Sequence, residues 1–103
     1  MIDVIAAYRP ASLSLRVSGH ATGRPEVCAG VSALLYALKG WAEAAAAQEA
    51  WPRGEWEARI GKGSATLRLP RTEGAELAFG LVFRGLLQIY ATAPEAVSVS
   101  CGE

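Results

Sequence analysis

The sequence predicts an α+β domain with the element order β-β-α-β-β-α-β, a largely antiparallel sheet, and both helices packed on one face of that sheet. Two observations predict this class. The chain contains two pairs of segments in which apolar and polar residues alternate across a short turn. Each pair is followed by a long segment whose apolar residues recur at helical spacing, and one more alternating segment closes the chain. A chain of 103 residues fits a single domain, residues 1–103.

The first strand pair consists of residues 2–8 and 12–18, in which every second side chain is apolar and faces inward. Pro25 suits the first turn of the helix that follows, because its missing N–H would be unpaired there in any case. The apolar residues of this helix recur up to about residue 50, and Pro52 ends it.

The second strand pair, EWEARI and SATLRL, is predicted to form a tight hairpin. Placing the two apolar faces directly opposite each other leaves Lys62 and Gly63 at the centre of a two-residue turn, where Gly63 supplies the positive φ. The same register sets Glu57 across from Arg68 on the outer face, a favourable cross-strand pair.

The second helix begins after Thr72, a suitable N-cap, and ends before Pro94. It is apolar around most of its circumference, whereas a sheet covers one side only. The remaining surface needs the first helix or a second copy of the chain, which predicts a homodimer. Residues 96–101 form the closing strand, and its alternation predicts that Cys101 points into the core.

The composition argues against several classes of protein. Ten basic and ten acidic residues cancel, so a protein that grips nucleic acid through its phosphates is not expected. No apolar run approaches the roughly 18–20 residues of a membrane span, and the N-terminus lacks the basic region of a signal peptide. We therefore expect a cytoplasmic protein without membrane contact, whose two cysteines are free thiols. The basic residues of the second hairpin are diluted by glutamates and predict a solvated face: Arg53, Arg59, Lys62, Arg68 and Arg71.

The residues with distinctive chemistry are His20, which is the one histidine, and Cys28. His20 lies where a strand ends, and Cys28 lies in the first turn of a helix, where unpaired N–H groups favour a thiolate and could act as oxyanion donors. An imidazole nearby can take the thiol proton. The alternative is a small buried cysteine and an unrelated surface histidine. One His and two Cys fall short of a zinc site, and no nucleotide-binding motif is present, so neither metal nor cofactor is expected.

The segments GHA at 19–21 and VCAGVSA at 27–33, with a short loop between them, resemble the signature of the Prp family, the ribosomal-processing cysteine proteases. That signature is Gly-His-Ala, a loop, and Asp-x-Val-Cys-Ala-small-x-Ser-Ala. The element order is similar to the family's fold over essentially the whole chain. The resemblance implies a cysteine protease that acts on a protein substrate.

Carried over residue by residue, the resemblance makes Cys28 the nucleophile and His20 the general base. Gly19 matches the glycine before the histidine, and Ser32 matches the serine one helical turn after the cysteine. Ser32 could orient the site, although a helical serine usually bonds back to a backbone carbonyl.

The chain departs from the family's pattern in two respects. The Asp three positions before the cysteine is replaced by Pro25, and the nearest carboxylate is that of Glu26, one residue further on. If the Asp orients the histidine, this chain uses Glu26 as a supporting residue or does without. The loop is also shorter than is common in the family. Both departures leave room for weaker activity or altered specificity.

Two functions follow from the sequence. The first is a cytoplasmic, homodimeric thiol endopeptidase. The resemblance implies removal of the N-terminal extension of a large-subunit ribosomal protein precursor, or processing of virion proteins as in phage relatives. The second is a catalytically weakened module of the same fold that binds a ribosomal or virion protein. Whether Cys28 is activated distinguishes the two.

Overall fold

The computed structural model describes residues 1–102 and contains every predicted element in the predicted order. The elements are β1 (Ile2–Tyr8), β2 (Ser12–Gly19), α1 (Pro25–Glu49), β3 (Glu57–Gly61), β4 (Ser64–Pro70), α2 (Glu73–Thr92) and β5 (Val97–Gly102). The α+β class is therefore confirmed. No helix among residues 1–102 has the length and apolar character needed to cross a membrane.

The strands form one sheet in the order β3-β4-β2-β1-β5. Three of the four pairings are antiparallel, and β5 runs parallel to β1. In the pairing of β2 with β4, Ser18 lies opposite Ser64. The turn between β3 and β4 therefore lies beside the end of β2, where the chain leaves the sheet towards α1.

The predicted register of the second hairpin is confirmed. Ile60 pairs with Ala65, and the turn that joins the strands contains Gly63 at φ 76°. A positive φ of this size strains any residue with a side chain, which explains glycine at this position.

The cross-strand ion pair predicted for this hairpin is not formed. Glu57 lies opposite Arg68 in the sheet, but its carboxylate is 2.7 Å from Nε of Arg59 on the same strand. Arg68 instead donates a hydrogen bond to the carbonyl oxygen of Gly54, at 3.0 Å. Long side chains on an exposed face have several partners within reach, so the register alone does not decide the pairing.

Both helices pack on the same face of the sheet, and one continuous core lies between the layers. Its largest fully buried side chains come from both layers: Phe79, Leu13, Leu15, Leu38, Leu67, Leu69, Leu86, Val4 and Val97. Burying such side chains contributes roughly 1.5–3 kcal/mol each, before the loss of chain entropy is counted.

The second helix begins as predicted, since Oγ1 of Thr72 accepts a hydrogen bond from the backbone N–H of Ala75 at 3.0 Å. Helix α1 covers part of its apolar circumference, and a methyl group at Gly85 would meet Leu34 at 2.9 Å. Leu77 and Leu81 remain 72% and 74% exposed. These two leucines are apolar surface that neither the sheet nor α1 covers.

The prediction that Cys101 is a core residue is wrong. Its alternation was read correctly, because Cys101 pairs with the fully buried Ala6 of β1. However, β5 is an edge strand and its last residues are exposed, Cys101 among them. Burial needs a covering helix as well as the correct face of the strand.

Candidate active site

A pocket of about 250 Å³ lies where β2 ends, α1 begins and the β3–β4 turn approaches them. It brings together most of the residues singled out in the sequence: Gly19, His20, Cys28 and Ser32. Apolar residues of α1 and of the sheet line much of the rest: Val31, Leu35, Ile60, Ile2, Val17 and Ala65. The pocket thus combines a thiol, an imidazole and a hydroxyl with a partly apolar surround.

Gly19 has no room for a side chain. A Cβ atom there would lie 2.1 Å from the carbonyl oxygen of Met1, and the residue has φ 97°. Its N–H donates to the carbonyl oxygen of Gly63 at 3.0 Å, which ties the end of β2 to the β3–β4 turn. The glycine therefore fixes where the chain turns towards the next residue, His20.

Cys28 is half-buried in the first turn of α1. Its Sγ accepts a hydrogen bond from the backbone N–H of Ala21 at 3.4 Å, and it lies 3.9 Å from the carbonyl oxygen of the same residue. The loop after His20 thus folds back onto the sulfur. The backbone of this loop therefore places a hydrogen-bond donor at the sulfur.

The first-turn amides of α1, which were expected to serve as oxyanion donors, are already engaged. Pro25 has no N–H, and the N–H groups of Val27 and Cys28 donate to the carbonyl oxygen of Arg24 at 3.1 and 3.3 Å. The backbone amide of Glu26 acts on its own carboxylate and helps to lower the pKa of that group. Within the described part of the chain, the N–H at the sulfur comes from the preceding loop instead.

The imidazole of His20 packs against the β3–β4 turn. A Cβ atom placed on Gly63 would lie 2.8 Å from Nε2 and 3.3 Å from Cε1 of the ring. No hydrogen bond joins the ring to Sγ of Cys28 among residues 1–102. The two side chains share a pocket, and a hydrogen bond between them has to form before the ring can take the thiol proton. Catalytic hydrogen bonds are often long or absent until substrate binds.

Ser32 lies one helical turn after Cys28 and lines the same pocket. Its hydroxyl makes no hydrogen bond within the residues described, so the usual bond back to a helix carbonyl is not formed. The hydroxyl is therefore available to a bound molecule. Over the same residues, no three His, Cys, Asp or Glu side chains come together as metal ligands.

Glu26 is not brought to this pocket. Its carboxylate lies 2.6 Å from Nε of Arg24, which also pairs with Glu95. The hydrogen bond from Arg24 is the main reason that the pKa of Glu26 is lowered. Glu26 borders a separate groove, beside Ile89 of α2. The structure therefore gives His20 no carboxylate from this residue.

Sequence reasoning missed the contribution of the β3–β4 hairpin to the pocket. Residues of this hairpin line the pocket, namely Ile60, Lys62, Gly63 and Ser64, whereas the sequence predicts a solvated face for Lys62. The hairpin itself was predicted, but its place beside β2 depends on the strand order. The alternating pattern of an isolated hairpin does not indicate which strand it joins.

No protein-family model matches the sequence, and no curated protein matches it. Solved structures do. The protein SMU.848 from Streptococcus mutans has 22% identity and a TM-score of 0.70, over 100% of this chain and 96% of that one. The essential ribosomal processing protease Prp from S. aureus, solved with a substrate peptide, has 19% identity and a TM-score of 0.72.

That match to Prp covers 98% of this chain and 99% of the other. A second structure of the same protease, with a covalently linked product peptide, has 20% identity and a TM-score of 0.71. The chain therefore has a Prp-like fold over almost its whole length. At these identities the likeness extends to the fold, and the chemistry must be argued from the pocket.

Proposed function

We propose that this chain, which has the fold of the ribosomal processing protease Prp, is a cysteine endopeptidase with Cys28 as nucleophile and His20 as general base. One observation carries the proposal: both side chains line a single pocket, together with Ser32. The resemblance of GHA and VCAGVSA to the Prp signature supports the same assignment. So does the fold, since the S. aureus protease has been solved with substrate and product peptides.

In the proposed reaction, the His20 ring turns from Gly63 towards Cys28 and takes the thiol proton. The thiolate attacks the scissile carbonyl carbon and forms a tetrahedral intermediate. The donors we assign to its oxyanion are the hydroxyl of Ser32 and the N–H of Ala21, which the sulfur releases as its charge is lost on forming the S–C bond. The imidazolium then protonates the leaving amine as the C–N bond breaks, which leaves a thioester. Water, deprotonated by the same imidazole, releases the acyl group and restores the thiol.

The substrate that we propose is a protein, namely a large-subunit ribosomal protein precursor whose N-terminal extension is removed. This assignment rests on the resemblance to Prp, a ribosomal processing protease that has been solved with a substrate peptide and with a product peptide. A ribosomal substrate would place the reaction in the cytoplasm. We assign no cofactor to it, because the thiol and the imidazole suffice for peptide hydrolysis.

A catalytically weakened binding module is the second candidate, and specific observations favour it. Pro25 stands where the family has Asp, and Glu26 is held by Arg24 away from the pocket. The imidazole and the thiol make no hydrogen bond to each other within residues 1–102. A protein of this kind would bind the same precursor without cleaving it.

The two functions differ in the reactivity of Cys28. We would measure its alkylation by iodoacetamide at about pH 6.5, where an ordinary thiol is only about 1% thiolate. Cys101→Ala provides the background, and the same chain unfolded in guanidinium gives the intrinsic rate. A protease should react about tenfold or more faster when folded, and His20→Ala should abolish that gain. A folded rate no higher than the unfolded one, and indifferent to His20, would favour the binding module.

We also propose a homodimer formed through the exposed leucines of α2. Leu77 and Leu81 border an apolar groove of about 440 Å³, together with Trp41 and Ala78. Sedimentation of wild type should show a dimer, and Leu77→Lys combined with Leu81→Lys should show a monomer. The same substitution at Tyr36, which is also exposed, is the control. A wild-type monomer at about 100 µM would contradict the proposal, because a stable dimer has a dissociation constant well below that concentration.

A further inference from the structure

We propose that Lys62 makes the pocket beside Cys28 favour substrates that carry an acidic side chain close to the scissile bond. The inference rests on the proposed function, because it names a feature of the substrate that the proposed protease would cleave. It concerns the charge of the pocket, however, and not the catalytic step. It can therefore be tested whether or not the protein cleaves peptides.

The position of Lys62 is fixed by the pairing of strands. It lies in the β3–β4 turn, next to Gly63, where a Cβ atom would lie 2.8 Å from Nε2 of the His20 ring. The hydrogen bond from Gly19 N–H to the Gly63 carbonyl oxygen holds this turn against the end of β2. Lys62 consequently lines the same pocket as Cys28, although the two residues are far apart in the sequence.

The charge of Lys62 has no partner among residues 1–102. No carboxylate oxygen among residues 1–102 lies within 4.0 Å of its ammonium group, whereas the other lysine, Lys39, lies 3.4 Å from Glu43. No Asp or Glu lines the pocket either. A cation that lacks an internal partner, at the rim of a binding pocket, attracts an anionic ligand and disfavours a cationic one.

The expected size of this effect is modest, because Lys62 is exposed and water and salt screen its field. The apolar side chains of Val31, Leu35 and Ile60 on the pocket wall reduce that screening on one side. We expect a preference of about two- to fivefold for a reagent with one negative charge at low ionic strength.

The first test compares iodoacetate with iodoacetamide, which are similar in size and differ by one negative charge. In a Cys101→Ala background, the ratio of their rates with Cys28 reports the charge of the pocket. Lys62→Gln should lower this ratio about two- to fivefold in about 10 mM salt. A change in the thiolate fraction of Cys28 does not affect the ratio, because it enters both rates equally. Lys39→Gln is the matched control and should leave the ratio as it is. An equal ratio in wild type and Lys62→Gln would overturn the inference.

The second test uses end-blocked peptides in which one position is Glu or Gln, so that a side chain supplies the only carboxylate. We expect wild type to cleave the Glu peptide faster than the Gln peptide. Lys62→Gln should lose that preference. Cleavage without such a preference would refute the inference and leave the protease proposal standing. If no peptide is cleaved, the protease proposal fails, and the alkylation ratio still decides whether Lys62 directs anions to Cys28.

Discussion

Replacing Gly63 with Ala should disturb His20 selectively, and Gly54 provides a matched control. Both glycines have φ in the left-handed region, 76° and 89°. A Cβ atom at Gly63 would lie 2.8 Å from Nε2 of the His20 ring, whereas one at Gly54 would have no neighbour within 4 Å. Both alanine variants therefore carry the same backbone strain, and only Gly63→Ala displaces the imidazole.

The magnitudes follow from these contacts. An alanine in the left-handed region costs about 1 kcal/mol, so Gly54→Ala should unfold at a temperature about 4–8 °C lower, and Gly63→Ala at a temperature lower still because the contact with the ring adds to this cost. The 2.8 Å approach is well inside the 3.4 Å at which ordinary contact begins, so the ring must rotate away from the turn. Forcing a side chain about 30° from its rotamer costs about 0.5–1.5 kcal/mol. This shifts the population of ring positions about two- to tenfold away from the turn, and in the proposed reaction a ring that leaves the turn moves towards Cys28.

Two assays detect this shift. Because His20 is the one histidine, its Hε1 proton gives an unambiguous NMR resonance. That resonance should move in Gly63→Ala and stay in place in Gly54→Ala. Alkylation of Cys28 at about pH 6.5 should become about two- to tenfold faster in Gly63→Ala relative to Gly54→Ala. Identical resonances and identical rates in the two variants would refute the placement of the ring against Gly63.

Two further predictions concern stability. Thr72→Ala removes the side-chain cap of α2 and should lower the free energy of unfolding by about 1 kcal/mol in urea titrations, whereas Thr72→Ser should retain most of it. Arg24 holds down the pKa of Glu26, and it adds to the backbone hydrogen bond that lowers the pKa of Glu95. A lowered carboxyl pKa stabilises the fold above the model value of 4.5 and ceases to do so as the pH falls through the folded value. Arg24→Gln should therefore lower the unfolding temperature at pH 7 but scarcely at pH 3, and an equal loss at both would contradict this.

The elements and the hairpin register could be predicted because they depend on neighbouring residues. Pro25 and Thr72 lie at the starts of the helices, and Gly63 lies in the turn of the hairpin. Each is within a few positions of the helical or alternating apolar pattern that it delimits. The strand order could not be predicted in this way. Pairing β4 with β2 joins segments that α1 separates in the sequence, and its free energy comes from side chains packed across the whole sheet.

The same distinction between local and long-range contributions applies to the residues of the candidate site. Gly19, His20, Cys28 and Ser32 were recognised because they form one local motif, and the structure places them around one pocket. Lys62 was missed, because it reaches that pocket only through the strand order. Residue chemistry in the sequence thus singled out the candidate reacting groups, while the residues that surround them could be found only from the fold.

The orientation of the His20 ring depends on packing and not on a charged partner. No carboxylate within residues 1–102 accepts a hydrogen bond from the ring, since Glu26 lies elsewhere and Pro25 occupies the position of the family's Asp. A ring held by contact with Gly63 rotates at a cost of about 1 kcal/mol, whereas one bonded to a carboxylate would first lose about 1.5–3 kcal/mol. Contact with a bound peptide can supply the smaller amount. At that cost the ring should reach Cys28 in a minor fraction of molecules even without substrate, which is enough to speed alkylation, and a bound peptide should raise that fraction.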